Sequence, residues 1–187
     1  MLFLVLGVLL WSFMHFLPAA DLGVRRNLIA RLGENPYKGI FALLMVLSIF
    51  LIYLGWKATV PVAVYQPPAW GRHLTALLVL VAFVLFFAPY PRNNFRRFLR
   101  HPQLTGVIAW GVGHLLANGE SRSLILFGGF TVWAILEILL INHRDGAWSR
   151  PEPASIKNDI ALVIAGLLVY AGMVFSHSWL FGVSPLG

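Results

Sequence analysis

Six apolar runs of 16 to 23 residues punctuate this chain, and only one of them carries a charge well inside it. They are Met1 to Leu17, Gly39 to Trp56, Leu74 to Pro89, Pro102 to Ala117, Ser123 to Ile141 and Asp159 to Phe181. A helix needs about 20 apolar residues to cross the hydrocarbon of a bilayer. Runs of this length at this density leave one economical fold: an all-α, polytopic membrane helix bundle of about six spans, forming a single domain over residues 1–187. Composition agrees, with charged residues at 11% where a soluble domain carries about 25%.

The segments between the runs give the expected orientation. Asp21 to Lys38 reads as a polar loop in which Asn35-Pro36 ends any helix. Lys57 to His73 is a loop marked by Pro61, Pro67 and Pro68. Arg92 to Arg100 interleaves Arg92, Arg96, Arg97 and Arg100 with Phe95, Phe98 and Leu99, which predicts a short interfacial helix. Eleven of the 14 Lys and Arg residues fall in the loops after the first, third and fifth runs. Basic loops stay on the cytoplasmic side, so both termini are expected in the periplasm and the protein in the inner membrane, multi-pass. The first run has no Lys or Arg before it, unlike a signal peptide, and is expected to be a retained helix. The formal net charge of +7 is accounted for by these loops and makes no case for nucleic acid; membrane lipid is the expected partner.

The absence of cysteine excludes disulfides, iron–sulfur clusters and thiolate zinc sites. Serine elbows, Walker loops and paired carboxylates are absent too. Chemistry therefore falls to histidine. His73, His101, His143 and His177 sit at span ends, where an imidazole simply meets water, whereas His15 and His114 lie inside apolar runs. An imidazole in lipid asks for a partner, a ligand or a metal. Helical spacing places Val107, Trp110, Gly111 and Asn118 near the side of His114, flanked by Gly106 and Gly113. An imidazole beside missing side chains suits a flat macrocycle bound axially. The competing account is a histidine bonded to a neighbouring helix, with glycines serving close packing. Glu137, the one deep carboxylate, lies at a depth similar to that of His15 and is placed to orient it. In upright helices His114 would lie about 13 Å from His15 in depth, so His15 with His101, and Glu137 as third ligand, is the competing metal site.

The stretch RHPQLTGVIAWGVGHLLANGESRSLILFGGF, the opening Phe13 to Phe16 and the ending HSWLFGVSPL resemble the NnrU family of bacterial membrane proteins over nearly the whole chain. That resemblance implies an association with denitrification, in the handling of nitrite and nitric oxide. The family is related to the plastid zeta-carotene isomerase, whose haem b ligands match His15 and His114. The resemblance thus implies haem b with His15, His114, Trp110 and Gly111 at the cofactor, and redox or isomerase chemistry on a small or hydrophobic substrate. That enzyme has a cysteine where Gly111 stands, so its ligand-switching mechanism lacks a key residue here. A looser likeness runs to the isoprenylcysteine methyltransferases, which share the RHP entry and use S-adenosylmethionine. Leu104 and Gly119 replace their Tyr and Pro, and no acidic pair follows. A non-enzymatic assembly or transport factor for a respiratory oxidoreductase is the third expectation.

Overall fold

The computed structural model describes residues 1–90 and 92–185. Among these, every regular element is a helix, apart from one isolated bridge between Ala63 and Glu120. Helices α1 (Leu2–Ala20), α2 (Leu22–Leu32), α3 (Glu34–Ala58), α4 (Gly71–Phe87), α5 (Phe95–Phe98) and α6 (Pro102–Ala117) come first. A continuous helical segment, Ser121–Asp145, follows; it comprises α7 (Ser121–Ser123), a π-helical stretch (Leu124–Gly128) and α8 (Gly129–Asp145). The last helix is α9 (Ile156–Phe181).

Each of the six apolar runs is helical. Four helical segments are long and apolar enough to cross a membrane: α1, α3, Ser121–Asp145 and α9, of 19, 25, 25 and 26 residues. The expected third and fourth spans, α4 and α6, have 17 and 16 residues. At 1.5 Å per residue they reach about 25 Å, short of the roughly 30 Å of hydrocarbon. The surface has the character of a membrane protein: Leu43, Phe175 and Trp179 are 67%, 84% and 85% exposed, while Ser48, Ser123 and Asp159 are buried.

The Asp21–Lys38 segment departs from expectation. It holds α2 and the first turn of α3 rather than a loop. Asp21 caps α2, its carboxylate accepting the Gly23 N–H at 2.6 Å. Gly33, at φ 87°, supplies the left-handed turn between the two helices. Asn35-Pro36 begins a helix instead of ending one, because Pro36 lies in the first turn of α3, where no backbone N–H is needed. Within Arg92 to Arg100, where a short interfacial helix is expected, the four-residue helix α5 forms.

The chain divides into two compact units, Met1–Tyr65 with Gly119–Ala147, and Gln66–Asn118 with Trp148–Gly187. In the first, α1 packs on α3 and α8. Small residues set the approach. A Cβ on Gly55 would collide with the backbone of Leu4, and one on Gly7 would lie 2.8 Å from the Ser48 carbonyl oxygen. The Val62–Tyr65 strip closes on the start of Ser121–Asp145: Val64 and Tyr65 N–H donate to the Gly119 carbonyl, and Ser121 N–H donates to that of Val62. Arg122 pairs with Glu120 at 2.7 Å and lies over the Trp56 ring.

In the second unit α4 packs on α6 and α9. Gly71 abuts the Leu116 carbonyl, and Thr75 Oγ1 donates to the Gly113 carbonyl at 2.6 Å. A polar knot ties the segment before α5 to the start of α9. The Asp159 carboxylate accepts from Asn94 N–H and Nδ2, both at 2.7 Å, and Asn94 also exchanges hydrogen bonds with Ala154. Asn158 Nδ2 donates to the Arg92 carbonyl. Asp159→Ala strands two donors of Asn94 and is expected to cost about 3 kcal/mol, hydrogen bonds to a charged acceptor being the strong kind. A fall in the thermal unfolding midpoint in detergent, with Lys157→Ala unchanged, is the measurement.

Candidate functional site

His15 belongs to the first unit and His114 to the second. His15 sits one turn from the end of α1. Its Nδ1 lies 2.9 Å from the Trp11 carbonyl oxygen, one turn earlier. A carbonyl only accepts, so Nδ1 donates and carries the ring proton. In the neutral imidazole the lone pair is then on Nε2, the nitrogen that can take a metal. The ring stacks on Trp11 at 4.6 Å and meets Trp133 and Phe41 edge-on at 5.1 and 5.8 Å. Phe130 closes the group, 5.5 Å from Trp11 and 5.9 Å from Trp133.

Trp11 Nε1 is buried beside this aromatic group without a hydrogen-bond partner, and the buried Trp133 Nε1 and Glu137 carboxylate, one turn apart on α8, interact with each other. A buried donor such as Trp11 Nε1 is costly to strand. Glu137 is 7% exposed and lies one turn beyond Trp133 on α8. The expectation that it would orient His15 is not met by a hydrogen bond among the described residues; the Trp11 carbonyl fills that role. At the end of α8, Arg144 donates to the Pro18 carbonyl at 2.6 Å and pairs with Asp145, fastening the end of α1.

His114 is held in the same way. Its Nδ1 lies 2.8 Å from the Trp110 carbonyl oxygen, which fixes the same tautomer, and its ring centroid is 5.1 Å from that of Trp110. Asn118 Nδ2 donates to the His114 carbonyl and finishes the helix. Gly111 is buried. Gly106 and Gly113 do not offer an open face to a flat ligand. An added Cβ would come within 3.0 Å of the Ala82 carbonyl oxygen and 3.3 Å of Leu78 Cβ, so both serve the packing of α6 on α4.

The remaining histidines lie at element ends. His101 is the N-cap residue of α6, where its carbonyl accepts from Thr105. His73 lies in the first turn of α4 and His143 in the last turn of α8. His177 Nδ1 lies 2.7 Å from the Val183 carbonyl oxygen. Among the described residues no three His, Asp or Glu side chains gather as a metal cluster. A haem asks less of the protein, since the macrocycle supplies four nitrogens and the chain only axial ligands.

One signal was passed over in the sequence. Gly7-Val8-x-x-Trp11-x-x-x-His15-x-Leu17 recurs as Gly106-Val107-x-x-Trp110-x-x-x-His114-x-Leu116, identical at five of eleven positions. The likeness extends to structure. Each motif glycine is pressed against a neighbouring helix, Gly7 on α3 and Gly106 on α4, and each imidazole is pinned to its own tryptophan carbonyl. A self-comparison for a paired Trp-x-x-x-His would have exposed it and added Trp11 to the candidate residues.

No curated protein and no solved structure matches this chain significantly. The family model described as NnrU protein matches residues 3–185, nearly the whole sequence, and the chain therefore belongs to the NnrU family.

Proposed function

We propose that this NnrU-family membrane protein binds haem b, which His15 and His114 would hold through Nε2. The observation that supports this is the repeated clamp: two imidazoles, each pinned by Nδ1 to the carbonyl of the tryptophan one turn earlier. That arrangement selects the ligating tautomer before any metal arrives and removes the ring's rotational freedom. Trp11 and Trp110 flank the two rings, and Trp133, Phe130 and Phe41 keep water from His15. When bound, the haem would supply one-electron chemistry.

The proposed setting is the bacterial inner membrane, with six spans and both termini in the periplasm, α4 and α6 serving as short spans. The proposed role is redox or isomerase chemistry on a nitrogen oxide or a lipid-soluble substrate. The test is an absorption spectrum of the detergent-purified protein from haem-supplemented cells. A Soret band and a b-type pyridine haemochrome are the expected result. A colourless protein that takes up no added haemin overturns the proposal.

A further inference from the structure

The interfacial segment of the second unit carries more positive charge than its neighbours balance. Arg92, Arg96, Arg97 and Arg100 fall within nine residues. The start of α9, tied to this segment by Asn94 and Asn158, adds Lys157. Of the nearby acids, Asp159 has both carboxylate oxygens committed to Asn94. Arg97 Nε is buried without a hydrogen-bond partner. A shielded guanidinium nitrogen with no acceptor is unfavourable, and its planar fork matches a phosphate.

An apolar groove opens at the same place. Phe95, Ile156, Ile160, Val163 and Ile164 line it together with Asp159, and it has a volume of about 310 Å³. From Ile156 to Ile164 it follows α9 for about 12 Å, from the charged end of the helix into its apolar span. Phe98, on the same short helix as Arg96 and Arg97, is 79% exposed, an aromatic set to enter the acyl region. Phe95, which lines the groove, is followed directly by Arg96 and Arg97 on α5, so basic charge and an apolar surface lie side by side, the two halves of one ligand chemistry.

We propose that the second unit carries a site for a single anionic phospholipid, with one acyl chain along Phe95, Ile160, Val163 and Ile164 and the phosphate at Arg96 and Arg97. Juxtamembrane basic clusters attract anionic headgroups in general. The groove turns that diffuse attraction into a site with a stoichiometry.

The experiment is native mass spectrometry of the full chain released from detergent containing palmitoyl-oleoyl phosphatidylglycerol or the matching phosphatidylcholine. One phosphatidylglycerol per chain is expected, retained about thirtyfold more than phosphatidylcholine, as two basic contacts warrant. The double variant Arg96→Gln/Arg97→Gln removes the preference. Ile160→Trp and, separately, Ile164→Phe fill the groove and remove it with every arginine intact. Soluble glycerol phosphate at millimolar concentration leaves the bound lipid in place. Equal retention of the two lipids overturns the site. So does a preference that survives both groove-filling variants, which reduces it to surface electrostatics, or displacement by glycerol phosphate alone.

Discussion

His15→Ala and His114→Ala are each expected to turn a six-coordinate, low-spin haem into a five-coordinate, high-spin one, and the double variant is expected to be colourless. Removing one axial imidazole leaves the iron a vacant position and a weaker ligand field. The two single variants should resemble each other, because both rings are fixed by the same Nδ1 bond to a tryptophan carbonyl, at 2.9 and 2.8 Å. Millimolar imidazole in the buffer should restore the low-spin spectrum of either single variant, since it replaces the missing side chain without its tether. Electron paramagnetic resonance of the ferric protein reads the spin state directly. Low-spin signals that persist in both single variants would remove these histidines from the iron, and the family membership would stand without the cofactor.

The second large effect concerns packing. Gly55→Ala and Gly172→Ala make the same change inside two helices, α3 and α9. At Gly55 the new methyl group meets the backbone of Leu4, which cannot yield without moving α1. At Gly172 it meets nothing within 4 Å. Overpacking against backbone costs about 3 kcal/mol, whereas relief of glycine's poor helix propensity contributes up to about 1 kcal/mol. Gly55→Ala should therefore lower the thermal midpoint in detergent and Gly172→Ala should hold or raise it. Because α1 carries His15, the Gly55 variant should also broaden the haem spectrum, a response that Gly172→Ala should not share. Equal midpoints would show that α1 and α3 do not approach as closely as the glycines imply.

Much of this architecture is written in hydropathy. Each apolar run is a helix, and the interleaving of arginine with phenylalanine marks α5. Length was harder to read than identity. Pro102 and the Asn118-Gly119 step bound α6 at 16 residues, so its apolar character says helix while its reach falls short of a full span. Asn35-Pro36 misled because proline's effect depends on its position within a turn, which hydropathy does not encode. His15 and His114 are legible in the sequence, since polarity inside an apolar run is conspicuous. What holds them is not, because a backbone carbonyl leaves no trace in residue identity. Gly106 and Gly113 misled in the opposite sense: a missing side chain signals close approach, and the approaching body is α4 rather than a ligand.

The π-helical stretch Leu124–Gly128 has a bearing on how such a chain can change over time. A single extra residue wound into one turn swings everything after it by about 100° around the helix axis. Trp133 and Glu137 lie downstream, so the compass bearing of that whole wall toward α1 is set by a residue count rather than by any side chain in it. Excising one residue between Leu124 and Gly128 would rotate the wall away from His15 while leaving each of its members chemically intact. Insertions and deletions there would steer the interior, and substitutions would merely decorate it.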